Sequence, residues 1–294
     1  MSAGFVDRLQ VGRRFSKVAA NYSAADFFAR EVDRRMQERL DYVNLTPARI
    51  VDLGCSRGGS FPGLAARYPE AQLIGLDLAP AMLDVASAPK AAWQRWLGLG
   101  LGKATGPLRL AADAAHLPIK SRSTAIVWSN LLLHWLDDPV PALAEAHRIL
   151  DVGGLLMFST LGPDSLKELR TAFADGYAHT QRFADMHDLG DMLVGCGFAD
   201  PVMDMEVITL TYDDLDAMFA ELRAAGSGCA MKARRHGLTG RASLAAVRQA
   251  YEAMRRDGKL PATFEVVYGH AWKTEAKQTP DGRAIVRFDL PRKK

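Results

Sequence analysis

Length, composition and charge are those of an ordinary globular enzyme. The chain has 294 residues, of which 48% are hydrophobic and 24% charged, and this favours one large domain with a sizeable core. Its net charge of +3 is far below the basic excess of nucleic-acid-binding proteins, so nucleic acid is not an expected partner. Three cysteines without C-x-x-C spacing argue against a disulfide framework and a zinc site. Because we find neither a signal peptide nor a run of roughly 18 apolar residues, we expect a cytoplasmic protein without membrane contact.

The predicted elements alternate between helix and strand. Apolar residues recur at helical intervals from Val11 to Tyr42, which predicts two helices before the first strand. Strands that alternate with helices form parallel sheets, so the following pattern favours an α/β fold. In chain order it predicts a strand at 48–54, a helix at 62–68, a strand at 72–78, a helix at 81–88, strands at 108–111 and 124–129, a helix at 141–150, a strand at 155–160, a helix at 186–196, a strand at 203–212 and helices at 215–225 and 242–256.

Three segments depart from this alternation. The stretch from Ala262 to Lys273 alternates apolar and polar residues, which predicts a half-exposed antiparallel strand at the edge of the sheet. Residues 90–107 are rich in Gly and Trp and are interpreted as an insertion. Residues 274–294 are interpreted as a C-terminal tail.

A glycine-rich turn follows the first predicted strand, in the run Val51-Asp-Leu-Gly-Cys-Ser-Arg-Gly-Gly59. A strand that ends in such a turn and leads into a helix brings backbone N–H groups close to a ligand, although such turns also occur without one. Asp52 disfavours a phosphate at this turn and suits a cationic amino-acid group. Ser56 stands at the middle glycine position, which a serine fits if its φ is negative.

Acidic residues also follow the next strands. Asp77 ends the second strand about 20 residues beyond the turn, where a carboxylate can accept both hydroxyls of a ribose. Asp113, followed by Ala114, can read the amine and ring nitrogen of adenine, or it can simply cap a helix. The run Ser129-Asn-Leu-Leu-Leu-His-Trp135 ends another strand at the same edge of the sheet.

The ordered motifs D-L-G-C-S-R-G, L-D-L, A-D-A and S-N-L-L-L-H-W resemble those of class I S-adenosylmethionine (SAM)-dependent methyltransferases. The resemblance implies a Rossmann-like α/β fold with a mostly parallel seven-stranded sheet, helices on both faces and an antiparallel C-terminal strand. It implies SAM as cofactor, S-adenosylhomocysteine as product and no metal. The implied cofactor-binding residues are Asp52, Gly54, Ser56, Gly58, Asp77, Leu78, Asp113, Ala114 and Asn130.

Further runs, among them Phe15 to Tyr22, Gln181-Arg-Phe183 and Leu260 to Phe264, resemble the BioC-type malonyl-acyl-carrier-protein O-methyltransferases of biotin synthesis. This resemblance implies methylation of the free malonyl carboxylate on acyl carrier protein, which needs no general base because the carboxylate is already ionised. It also suggests a monomer or weak dimer. The implied division of the chain is a helical lid at 1–45, a methyltransferase domain at 46–273 with a helical cap at 213–258, and the tail.

Four residues are candidates for shaping the acceptor site. Tyr22 would belong to the lid, His134 and Trp135 would shape the mouth of the pocket, and Arg182 would orient the malonyl carboxylate. Each also has a purely structural interpretation: Tyr22 and Trp135 as packing residues, His134 as a satisfied strand-end histidine and Arg182 as a surface ion-pair partner.

Acyl carrier proteins are acidic, so a docking face should be basic. Seven cations cluster between 232 and 256, although such a run is usually a solvated helix face. Two alternatives remain open: a methyltransferase acting on another small acid, and an assembly factor similar to the arginine hydroxylases of respiratory complex I. The seven cations are Lys232, Arg234, Arg235, Arg241, Arg248, Arg255 and Arg256.

Overall fold

The computed structural model describes residues 5–84 and 106–275. The predicted insertion at 90–107 lies outside these residues up to position 105, and the predicted tail does so from 276 onward. The helix predicted at 81–88 is described only as far as Asp84.

Seven strands form one sheet in the order β3-β2-β1-β4-β5-β7-β6. Strands β1 to β5 pair in parallel, whereas β7 runs antiparallel to both β5 and β6. The expected mostly parallel sheet with an antiparallel C-terminal strand is therefore confirmed. The strands are β1 (Arg49–Leu53), β2 (Gln72–Asp77), β3 (Leu108–Ala111), β4 (Thr124–Ser129), β5 (Leu150–Leu161), β6 (Ala199–Tyr212) and β7 (Leu260–Trp272).

Helices cover both faces of the sheet, because each face buries a separate apolar cluster. One cluster includes residues of α2, α3, α8 and α9, and the other includes residues of α5 and α7. The helices are α1 (Arg8–Val18), α2 (Phe27–Glu38), α3 (Phe61–Arg67), α4 (Pro80–Asp84), α5 (Val140–Ile149), α6 (Lys167–Ala172), α7 (Met186–Gly195), α8 (Leu215–Ala224) and α9 (Arg241–Glu252), with 3-10 turns at Ala19–Ala24, Arg39–Tyr42 and Leu133–Trp135.

The prediction that the last strand lies at the edge of the sheet is wrong. β7 lies between β5 and β6, and most of its side chains are buried. Its polar side chains resemble an exposed face in the sequence, but they have partners inside the protein: the Thr263 hydroxyl donates to the Glu168 carboxylate, and the Glu265 carboxylate accepts from the Asp164 N–H at 2.6 Å. The edge is instead β6, which alternates between exposed and half-buried residues.

The two N-terminal helices differ in how they pack. Helix α2 inserts Val32 and Met36, both fully buried, into one core cluster. Helix α1 packs through Val11 in a small separate cluster with Ala230 and Met231, and the preceding Asp7 N–H donates to the Ala230 carbonyl at 2.8 Å. Of the segment predicted as a lid, α2 is thus part of the core, whereas α1 is held by a small satellite cluster.

Candidate active site

A cavity of about 340 Å³ lies beside the carboxyl ends of β1, β2 and β4. This volume falls within the range of roughly 300–1,000 Å³ for small-molecule sites. Part of its apolar lining belongs to the core cluster that also packs α2. We call this space the central cavity; its apolar lining includes Phe28, Leu131, Leu161, Leu166, Leu210 and Phe264.

All but two of the residues selected from the sequence line the central cavity. The two that do not are Gly58 and Arg182. Convergence of the others is a tertiary effect, since they come from several separate segments between Tyr22 and Trp135. The residues brought together are Tyr22, Asp52, Gly54, Ser56, Asp77, Leu78, Asp113, Ala114, Asn130, His134 and Trp135.

The glycine-rich turn wraps the end of β1 in a left-handed conformation. Gly54 and Ser56 have φ values of +72° and +47°. The negative φ that would let a serine fit easily is therefore not found: the Ser56 N–H points at the Asp77 carboxylate, 2.9 Å away, and this bond compensates for a conformation that serine rarely adopts. The Ser56 side chain opposes the rise that burial causes in the pKa of Tyr22.

Gly58 serves the packing beneath the turn, since it does not line the cavity. Its φ is +80°, and a Cβ at this position would lie 2.5 Å from the Phe61 ring. A side chain is excluded by both the backbone conformation and the space available. Gly58 therefore allows α3 to approach the turn closely.

Asp52 is a buried carboxylate with spare hydrogen-bonding capacity. Its side chain is 2% exposed, and neither oxygen has a partner of good geometry among the described residues. Burial raises the pKa of Asp52 well above its ordinary value, the nearby carboxylates of Asp33 and Asp77 add to the rise, and the Ser60 hydroxyl opposes it. An unpartnered buried acid is costly, so this group is suited to receive a cation or an N–H donor from a ligand.

Asp77 holds two backbone segments at the end of β2. One carboxylate oxygen accepts from Ser56 N–H at 2.9 Å and the other from Ala79 N–H at 2.8 Å. Burial raises the pKa of Asp77, and these two N–H groups oppose the rise. Each oxygen retains a free lone pair for a ligand hydroxyl, and the adjacent Leu78 forms an apolar part of the lining.

Asp113 connects the end of β3 with α1. Its carboxylate pairs with Arg8 at 2.7 Å and accepts from Ala115 N–H at 3.1 Å. The Arg8 side chain is 60% exposed, so this ion pair is a weak tie. Asp113 and Ala114 follow β3 and line the cavity on the side of α1.

Asn130 fastens the cavity wall to α2. Its amide nitrogen donates to the Ala29 carbonyl at 2.8 Å, and its oxygen accepts from the Ser159 hydroxyl at 2.7 Å. The next residue, Leu131, has a φ of +55°, and its N–H bonds the same Ser159 hydroxyl. The side chain of Asn130 is thus already engaged, which makes it a positioning element of the wall.

Aromatic residues close the side of the cavity beneath α1. Phe15 packs edge-on against Trp135 at 5.1 Å between ring centroids and lies 6.4 Å from Tyr22. His134 is buried, and its Nδ1 lies 3.3 Å from the Thr160 hydroxyl. Burial lowers the pKa of His134 to about 3, so its imidazole is neutral at physiological pH.

Arg182 lies apart from these groups. It is exposed, and its guanidinium stacks 5.0 Å from the centroid of Phe5. The neighbouring Gln181 lines the cavity instead and is 7% exposed. Sequence reasoning missed Gln181 because a charged residue is a stronger chemical signal than an amide, although the same Gln-Arg-Phe run contained both.

The seven cations between 232 and 256 separate into two regions. Lys232 lies beside the N-terminal segment, since its N–H donates to the Phe5 carbonyl at 2.7 Å. Arg234 pairs with Asp7 at 3.0 Å. By contrast, Arg248 pairs with Asp216 at 2.6 Å and Arg255 with Glu252, both away from the cavity lining. The predicted continuous docking face is thus divided, and part of its charge is neutralised within the chain.

Residues 5–84 and 106–275 contain neither a metal-ligating cluster nor a membrane-spanning helix. No group of three or more His, Cys, Asp or Glu side chains there is arranged to hold a metal ion. None of the helices in these ranges is both long and apolar enough to cross a membrane.

Comparison with known proteins agrees with this geometry. Residues 51–158 match the model of a methyltransferase domain. The chain is 46% identical to a malonyl-[acyl-carrier protein] O-methyltransferase of Gallionella capsiferriformans, with 98% of each chain covered. It is 48% identical to the protein of that name from Laribacter hongkongensis, with 97% of each covered.

Solved structures resemble the chain in fold. The YcgJ protein of Bacillus subtilis matches with a TM-score of 0.55 and 15% identity over 83% of this chain and 99% of that one. The [4+2]-cyclase SpnF matches with a TM-score of 0.50 and 21% identity over 82% and 81%. This chain belongs to the malonyl-[acyl-carrier protein] O-methyltransferase family and has a class I methyltransferase fold, as shown by the relatives that cover 97–98% of it, the matched methyltransferase domain and the strand order.

Proposed function

We propose that the protein transfers the methyl group of SAM to the free carboxylate of malonyl-acyl carrier protein, an early step of biotin synthesis. The observation that carries this proposal is the unpartnered Asp52 carboxylate in a cavity whose remaining wall is largely apolar. Such a cavity provides a partner for a cationic cofactor and a dry space for a short acyl group. The family relationship supports the malonyl acceptor.

The polar residues of the central cavity fit SAM. We infer that Asp52 receives its ammonium group, the free lone pairs of Asp77 its ribose hydroxyls, and Asp113 with Ala114 its adenine. Gly54 and Ser56 complete the turn around the amino-acid part. When bound, SAM supplies an activated methyl group on a sulfonium.

Methyl transfer requires alignment more than proton transfer. A carboxylate oxygen of the acceptor forms a bond to the methyl carbon as the carbon–sulfur bond breaks, and the electron pair remains on sulfur, which leaves S-adenosylhomocysteine. The acceptor is ionised at neutral pH, so no side chain has to remove a proton. Neutral His134 and the apolar wall exclude water, and burial raises the pKa of Tyr22 to about 12, which keeps its hydroxyl protonated.

Exposed cations lie on α1 and beside Phe5 in the segment that precedes it. Four of them, which we call the basic rim, are Arg13, Lys17, Arg182 and Lys232. None of the four forms an ion pair within the described ranges, whereas Arg248 and Arg255 do. We infer that the acidic carrier protein docks on the basic rim, which supersedes the continuous face expected from the sequence.

Reversal of charge on this rim should weaken docking without affecting chemistry. For Arg13→Glu/Lys17→Glu/Lys232→Glu we expect the KM for malonyl-acyl carrier protein to rise by about tenfold at low salt, because electrostatic steering is lost. The difference should shrink as salt screens the charges. Steady-state kinetics over a salt series measures both effects.

A matched control changes the same charge elsewhere. Lys120→Glu/Arg248→Glu/Arg256→Glu removes three cations that do not line the cavity. We expect the KM of this control variant for malonyl-acyl carrier protein to stay within about twofold of wild type, because salt screens charges that are distant from the docked carrier. Equal effects of the two triple variants would show that net charge, not the basic rim, is responsible.

The function itself is tested by incubating the purified protein with SAM and malonyl-acyl carrier protein and following the carrier by mass spectrometry. We expect a gain of one methyl group on the malonyl unit and release of S-adenosylhomocysteine. Acetyl-acyl carrier protein, which lacks the free carboxylate, should not react. Methylation of free small acids but not of the carrier-bound thioester would contradict the proposal.

A further inference from the structure

Gln181 lines the central cavity and has an unused hydrogen-bond acceptor. Its side chain is 7% exposed and lies in the cavity lining. The amide nitrogen donates to the Gly228 carbonyl over a long 3.4 Å, whereas the buried Oε1 has no partner within the described residues. A buried amide oxygen without a partner destabilises the protein, because it has lost its hydrogen bonds to water. A ligand that brings a donor to this point would remove that destabilisation.

The orientation of the amide follows from its neighbour. If nitrogen and oxygen were exchanged, Oε1 would face the Gly228 carbonyl, and two acceptors would meet. Oε1 is therefore the free atom. The adjacent Thr180 is also buried, and its carbonyl accepts from the Cys229 thiol at 3.3 Å, so the 180–181 segment is tied to the 228–229 segment at two points.

The donor cannot come from the malonyl group. Its carboxylate and thioester carbonyl offer only acceptors, and the proposed function assigns the donors of SAM to Asp52, Asp77 and Asp113. Beyond the thioester sulfur, the arm of an acyl carrier has two methylenes and then a secondary amide. We propose that Gln181 recognises this amide, with Oε1 accepting its N–H. The inference rests on the proposed function and adds a specificity residue to it.

The test uses two small acceptors that differ in one hydrogen-bond donor. Malonyl-N-acetylcysteamine contains the amide, whereas malonyl-2-acetoxyethanethiol carries an ester oxygen in place of the N–H. For wild type we expect the KM for the ester acceptor to be about tenfold higher than that for the amide acceptor, because one buried hydrogen bond is lost. For Gln181→Met, which keeps the length of the side chain but not its acceptor, the two KM values should agree within about twofold.

Thr180→Val is the matched control, because it removes a polar group from the next residue in the cavity lining. It should retain the preference for the amide, and both variants should bind SAM as wild type does in calorimetry. Equal KM values for the two acceptors in wild type, retention of the preference in Gln181→Met, or loss of SAM affinity in that variant would each overturn the assignment. Failure of wild type to methylate malonyl-acyl carrier protein itself would instead refute the proposed function on which the assignment rests.

Discussion

Replacement of Asp77 by Ala is expected to raise the Kd for SAM by at least about 100-fold. The change removes an acceptor for ribose and also releases the Ser56 and Ala79 N–H groups that the carboxylate now holds. Hydrogen bonds to a charged group contribute about 1.5–3 kcal/mol each, and about 3 kcal/mol corresponds to roughly 100-fold in affinity. Isothermal titration with SAM and S-adenosylhomocysteine measures the change.

Two further variants separate binding from folding. Asp77→Asn keeps the volume and one acceptor oxygen, so we expect a smaller loss of about tenfold. Asp84→Ala alters an exposed aspartate of the adjacent α4 that does not line the cavity, and it should bind as wild type does. If Asp77→Ala bound SAM within threefold of wild type, the ribose site would have to lie elsewhere.

Asp52→Asn should stabilise the protein and impair cofactor binding at the same time. The pKa of Asp52 is raised in the folded state, mainly by burial, so the folded protein holds this proton more tightly than the unfolded chain. The contribution to stability is fully present below the unfolded pKa of about 3.9 and is lost as pH rises through the folded pKa. Asn cannot ionise, so we expect the variant to gain about 1–3 kcal/mol in free energy of unfolding at pH 7.

The same substitution removes the negative charge proposed to face the SAM ammonium group. We expect the Kd of this variant for SAM to rise by about 30- to 100-fold, because a charge-assisted hydrogen bond is lost. Denaturant titration from pH 4 to 8 and calorimetry measure the two effects, and Asp191→Asn on the exposed side of α7 should alter neither. A variant less stable than wild type at pH 7, or one that binds SAM normally, would show that the Asp52 carboxylate already has a partner within the folded protein.

Local signals in the sequence were sufficient for most of the fold. Strands β1 to β4 are confirmed within two residues at each end, because short β-branched runs before glycine turns depend on neighbouring residues only. Strand β5 begins at Leu150, five residues before its predicted start, since the Gly153-Gly154 pair resembled a turn and is instead accommodated within the strand. The short helix α6 was not predicted, as six residues carry too little periodicity.

The sequence by itself determined the glycine turn and the acidic residues at the strand ends, since parallel strands bring their carboxyl ends to one edge whatever else the chain does. Tertiary structure alone decided which residues complete the site. The interior position of β7, the positive φ of Ser56 and the choice of Gln181 over Arg182 as a lining residue each depend on contacts between residues distant in sequence. Such contacts leave no periodic pattern, because the partners of a buried polar group are set by packing and not by spacing along the chain.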